Sequence, residues 1–138
     1  RTLAEEQRFR RGTIFSREGT VLAESKPLDG IFVRDYPLGP LFGNVTGFSS
    51  GRYGRAGIEA SANEYLMAQK NAGSLREYIN QLTSNEPAGN DVYLTLSARL
   101  QKAAAEALGD RKGAVVALDP RSGEVLALVS NPTYDPNK

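Results

Sequence analysis

The last quarter of the chain constrains its fold more than any other stretch. Lys112-Gly-Ala-Val-Val-Ala-Leu-Asp-Pro-Arg-Ser-Gly-Glu-Val-Leu-Ala-Leu-Val-Ser130 holds two apolar runs around Asp119-Pro120-Arg121-Ser122-Gly123. A short loop with Pro early and Gly late between β-prone runs predicts a hairpin with strands 114–118 and 124–130. Both strands are apolar at nearly every position, the pattern of strands covered on both faces. Covering both faces takes layers on either side of the hairpin. A chain of 138 residues, with much of its length committed elsewhere, is short of material for them. The sequence therefore reads as the front part of something larger.

Composition removes several function classes. There is no Cys and no His, which excludes disulfides, thiolate and imidazole metal sites, and the commonest general base. A net charge of +1 gives no bulk electrostatic case for nucleic acid. No Asp/Asn-rich loop suggests a carboxylate metal site, and no cofactor is implied. No run approaches the roughly 20 apolar residues of a membrane-crossing helix. The chain opens on Arg1 rather than Met, and an upstream segment is expected.

Residues 1–10 are charged and free of Gly and Pro, suiting a helix or an extended lead-in. Gly12–Ser16 and Thr20–Ser25 predict a hairpin, and Ile31–Arg34 a third strand. The Gly- and Pro-rich stretch from Pro37 to Gly57 predicts loops with short strands. Ile58, Ala62, Tyr65 and Leu66 fall at helical spacing. Ser74-Leu-Arg-Glu77 has the form of a capping box before a second short helix carrying Leu75, Tyr78, Ile79 and Leu82. Thr83–Asn90 reads as a linker. Beyond it come a strand over Asp91–Leu96 and a helix capped by Ser97 and stopped by Gly109, with Leu100, Ala104, Ala107 and Leu108 as its apolar stripe. The expected class is α+β: a mostly antiparallel module over 1–90 with short helices, then a helix and hairpin over 91–138.

Chemistry is harder to find. The acids include no pair with a spacing suited to catalysis, and Glu5-Glu6 and Glu59/Glu64 read as solvated. Gly51-Arg-Tyr-Gly54 lacks the strand–Gly–helix context of a phosphate loop. No Ser is followed three positions on by Lys, so no hydroxyl has the activating base of a Ser-x-x-Lys pair. Ser61-Ala62-Asn63 matches Ser-x-Asn but has no nucleophile to serve, and Ser61 is expected in the first turn of a short helix. No catalytic residue is assigned.

The order of four blocks carries a resemblance. Arg11-Gly-Thr-Ile-Phe-Ser-Arg-Glu-Gly-Thr-Val-Leu-Ala-Glu-Ser25 resembles the RGxIxDRNGxxLAxS signature that opens the non-catalytic module of class B penicillin-binding proteins. Tyr53-Gly-Arg-Ala-Gly-Ile-Glu59 is similar to that module's later YGxxGxE motif. Asp91-Val-Tyr-Leu-Thr-Leu-Ser-Ala-Arg-Leu-Gln101 resembles the D-V-x-L-T-x-D-x-x-L-Q start of the transpeptidase domain. Residues 114–136 are similar to the VVALDPxTGEVLALVSxPxYDPN that follows. The subgroup resembled most is the actinobacterial penicillin-binding protein A type. Ser16 and Glu18 stand where the family often has Asp and Asn, and Ser97 where it often has Asp. Ser caps a helix as well as Asp does.

The resemblance implies a pedestal over 1–90 that can self-associate and contact other cell-wall synthesis or division proteins, and over 91–138 the first helix and strands of a transpeptidase domain. It implies a parent anchored in the cell membrane upstream of Arg1 and facing outward. That parent would acylate a serine with a peptidoglycan stem peptide, transfer the acyl group to a neighbouring stem, and be trapped by β-lactams. The catalytic serine would lie beyond Lys138. Arg11 and Glu59, in the first and second blocks, are expected to form an ion pair that knits the pedestal. Two alternatives stay open: a self-sufficient small binding module, and an esterase-like centre around Ser61.

Overall fold

The computed structural model describes residues 3–68 and 88–138. The capping box at Ser74–Glu77, its helix, and most of the expected linker lie outside the described residues.

The chain opens with a short helix, α1 (Leu3–Gln7). Strands β1 (Ile14–Phe15), β2 (Val21–Leu28) and β3 (Ile31–Asp35) follow, antiparallel and consecutive. The hairpin expected from Gly12–Ser25 is present. A register shift between Ile14 and Phe15 bends β1 against β2, so Ile14 faces Ala23 and Phe15 faces Val21. The Gly/Pro-rich stretch becomes a 3-10 turn (Gly39–Leu41), α2 (Gly43–Thr46) and the two-residue strands β4 (Ser49–Ser50) and β5 (Gly54–Arg55). The helix foreseen around Ile58 is two helices, α3 (Gly57–Ser61) and α4 (Asn63–Leu66), broken at Ala62.

Residues 92–93 form strand β6, shorter than the expected 91–96. It pairs parallel with β1, Ile14 opposite Val92 and Phe15 opposite Tyr93, and completes a sheet of order β3-β2-β1-β6. Phe15 and Tyr93 stack with ring centroids 4.8 Å apart. The core gathers Ile14, Leu22, Ala23, Tyr36, Phe42, Val45, Leu66 and Leu96. Val92 and Leu96, expected to open the second unit, thus pack into the first.

Close backbone approaches shape this module. Gly47 (φ 66°) sits where a Cβ would come within 2.0 Å of the Ala56 carbonyl oxygen, and Gly57 (φ 59°) lies across from it. This crossing brings α2 against α3 and sets where α3 begins.

Helix α5 (Ala98–Leu108) starts and stops as the sequence predicts. Ser97 Oγ accepts from the Leu100 amide, and Gly109 ends the helix at φ 58°. Its buried face is different. Leu100 and Ala107 of the expected stripe are exposed, and the deepest residue is Gln101. The covered face runs through Gln101, Ala104, Ala105 and Leu108, one position round from Leu100. Apolarity alone misplaced the stripe because a polar side chain occupies its centre.

Strands β7 (Gly113–Leu118) and β8 (Val125–Asn131) form the final hairpin. Its loop closes through Gly123 N donating to Asp119 O (2.8 Å) and Asp119 N to Glu124 O (2.9 Å). The expectation of burial on both faces does not hold. Ala127 and Val129 are buried on the face toward α5, while Val116 (54% exposed), Leu118 and Leu128 on the other face are open. None of the described residues supplies a layer there.

Candidate functional site

The first and second blocks meet in a buried cluster of charge. Glu59, in α3, is fully buried rather than solvated as its spacing suggested, because Arg11, Arg34 and Tyr36 supply its carboxylate with partners inside the fold. Arg11 Nε donates to Glu59 Oε2 at 2.6 Å, and Arg11 Nη2 to the Glu59 carbonyl at 2.6 Å. Arg11 Nη1 donates to Asn63 Oδ1, also at 2.6 Å, holding α4 beside α3. From β3, Arg34 Nε donates to the other carboxylate oxygen, Glu59 Oε1, at 2.6 Å. Arg34 Nη1 reaches the Gly12 carbonyl (2.8 Å) and Ser25 Oγ (3.1 Å). Tyr36 Oη donates to Glu59 Oε1 at 3.1 Å and accepts from the Ser49 amide at 2.8 Å. One carboxylate therefore gathers the strand-1 approach, β3, α3, α4 and β4.

The electrostatics fit a structural knot. Burial pulls the Arg11 guanidinium below its ordinary pKa, and the Glu59 charge works against that shift. An arginine nevertheless stays charged at any pH the fold meets. Two guanidiniums face one carboxylate. Charge-assisted bonds of this length are strong, but each buried ion costs several kcal/mol without its partner. Burial, then the neighbouring Glu59 charge, raises the Tyr36 pKa, so its hydroxyl stays neutral and can donate and accept at once. Arg34 Nη2 is buried without a partner among the described residues. At the rim, Arg55 pairs with Glu6 of α1 at 2.7 Å.

The cluster offers no reactive chemistry, since permanently charged guanidiniums neither take nor give protons here. Ser61 is exposed at the end of α3 rather than in its first turn, and its Oγ lies 3.5 Å from the Ile58 carbonyl. Among the described residues no group of acids could hold a metal ion.

A second polar seam joins α5 and the final hairpin to this module. The Gln101 amide acts as a strand mimic on β8: its Oε1 accepts from Leu128 N (2.8 Å), and its Nε2 donates to Leu128 O (2.6 Å) and to Leu41 O (3.0 Å). Glu18, in the first hairpin loop, accepts from the Ala98 amide at the start of α5. Burial favours a higher Glu18 pKa, but bonds from Ser16, the Ala98 amide and Ser97 outweigh it and hold the carboxylate below its ordinary value. Arg17 N donates to Leu96 O at 2.9 Å. Sequence reasoning missed Arg34, Tyr36, Gln101 and Glu18. Arg34 carried a faint signal, as a charge ending an apolar strand. Gln101 was marked only as the closing residue of the third block, because by periodicity a polar residue on a helix reads as solvated.

Comparison with known proteins places the chain. Residues 11–92 match the family described as the penicillin binding protein A dimerisation domain. The chain belongs to that family and corresponds to the N-terminal module of class B penicillin-binding proteins. It is 38% identical, over 99% of its length, to a peptidoglycan D,D-transpeptidase of Mycobacterium tuberculosis, of which it spans 29%. A peptidoglycan D,D-transpeptidase of Mycolicibacterium smegmatis is 36% identical, over the same shares. Among solved structures, penicillin-binding protein A from M. tuberculosis as its imipenem acyl-enzyme superposes with a TM-score of 0.87 at 37% identity, covering 94% of this chain and 31% of that one. The α+β class expected from the sequence is the class these relatives share. The chain thus spans under a third of these relatives.

Proposed function

We propose that the chain is the non-catalytic front of a membrane-anchored, extracytoplasmic peptidoglycan D,D-transpeptidase. Residues 1–90, with β6 completing their sheet, form the pedestal, and the stretch from Ser97 opens the catalytic domain. The pedestal's work is to hold that domain at a fixed place and to contact other cell-wall synthesis or division proteins, including a second copy of itself. The Arg11–Glu59 pair, with Arg34, knits the pedestal into one body. One observation carries the reading. The final hairpin is tied to the pedestal through Gln101 on one side, yet leaves Val116, Leu118 and Leu128 open on the other, as a sheet awaiting its remaining layers would. A self-sufficient binding module would not be expected to leave such a face bare.

The missing domain would carry the activated serine, attack the stem peptide, and pass the acyl group to a neighbouring stem. Fluorescent penicillin followed by denaturing electrophoresis tests this. The product of the whole gene should carry the label, and the 138-residue chain should carry none, because it has no Ser-x-x-Lys. A labelled band at the mass of the short chain would contradict the assignment, as would an unlabelled product of the whole gene.

A further inference from the structure

The segment after β8, which closes the fourth block, is held by the pedestal at Tyr36, a residue outside all four blocks. The Asn137 side-chain amide lies along the backbone of Tyr36: Tyr36 N donates to Asn137 Oδ1 (2.9 Å) and Asn137 Nδ2 donates to Tyr36 O (2.9 Å). It thus imitates the pairing of a neighbouring strand. Asp135 Oδ1 accepts from both Asn137 N (3.0 Å) and Nδ2 (2.9 Å), fixing the amide's orientation. The Tyr134 carbonyl passes so near Gly43 that a Cβ there would come within 2.2 Å of it. At the other end of Tyr36, the hydroxyl bridges the Ser49 amide and the Glu59 carboxylate. Tyr36 is 3% exposed and has little freedom to move one end alone.

We infer that Tyr36 is a positioning residue that couples the buried Glu59 cluster to the segment 131–137, so that the state of one biases the other. One tyrosine carries both contacts: its backbone holds the segment, and its hydroxyl is held by the cluster. Loosening the hydroxyl frees the ring and with it the strand end that Asn137 grips. Releasing Asn137 frees the strand end and loosens the hydroxyl. A coupling of this kind is reciprocal by necessity. That it would set the seating of a catalytic domain rests on the function proposed above. The coupling itself does not, and it is testable in the 138-residue chain.

Amide exchange and chemical shifts in the isotope-labelled chain read both directions. Tyr36→Phe keeps the ring and both backbone bonds to Asn137, so a clamp acting only locally leaves Asn137 as it was. Coupling predicts a displaced Asn137 side-chain amide resonance and about tenfold faster exchange of the Tyr36 amide that it holds. Asn137→Ala, at an exposed position that leaves the pedestal core intact, should displace the Ser49 amide resonance and speed its exchange about tenfold. If either variant leaves the far group at its original resonance and exchange rate, the coupling is refuted, whatever the other does. If Tyr36→Phe fails to fold, Asn137→Ala alone decides.

Discussion

Glu59→Ala is expected to destabilise the pedestal by about 3–5 kcal/mol, the cost of breaking a buried ion pair from one side. The size follows from what remains. Arg11 and Arg34 are each 7% exposed at the side chain and would face each other with no carboxylate between them. Tyr36 Oη would lose its acceptor, and Arg11 would keep only the residue 59 carbonyl and Asn63 as partners. Glu59→Gln should be nearly as harmful, since it keeps the shape but not the charge. In a double-mutant cycle Arg11→Ala and Glu59→Ala should couple by about 1 kcal/mol or more, because the second truncation removes a charge the first had already stranded. Chemical denaturation of the four proteins gives the result. Additive losses would mean that the 2.6 Å contact contributes nothing to stability.

Gly47→Ala is the second large effect. At φ 66° and ψ −149° the residue occupies backbone space that only glycine enters freely. An added Cβ would also lie 2.0 Å from Ala56 O and 2.3 Å from Ala56 C, both backbone atoms that cannot swing away. Strain of about 1–3 kcal/mol from the dihedral adds to that overlap, and the loss should exceed about 3 kcal/mol. Gly54→Ala is the comparison, with φ 81° but nothing within 4 Å of an added Cβ. It should lose only the dihedral cost. Thermal melts of the two variants separate strain from collision. Equal losses would show that the crossing of α2 and α3 is looser than its distances imply.

How much was legible in the sequence depended on where the signal lived. Elements written by local chemistry were visible: the 14–28 hairpin, the helix from Ser97 to Gly109, and the Asp119–Gly123 turn. The ends of β7 and β8 fell within a residue of expectation for the same reason. What failed depended on partners distant in sequence. The break at Ala62 and the short β6 follow from packing against β1 and α2 rather than from their own residues. The buried face of α5 was misread because Gln101 is inside for its bonds to Leu128 and Leu41, which periodicity cannot show. The proximity of Arg11 and Glu59 came from the motif resemblance, not from the residues' spacing. Their partners Arg34 and Tyr36 went unnoticed, since neither the first block nor the second contains them.

Hydrogen exchange in β7 tests most directly whether the hairpin is the opening of a larger sheet. Leu128 turns both its N–H and its carbonyl outward to Gln101, so its partner Val116 is a non-hydrogen-bonded pair whose own amide faces the free edge. Ala114, two residues back, faces the same way. Among the described residues β7 has no neighbour on that edge. In the 138-residue chain the Ala114 and Val116 amides should exchange rapidly, while Val115 and Ala117 are protected by β8. In the same protein extended by its natural downstream sequence, Ala114 and Val116 should become as protected as their neighbours. Unchanged rapid exchange at both in the extended protein would contradict the account, and so would strong protection of both in the monomeric short chain.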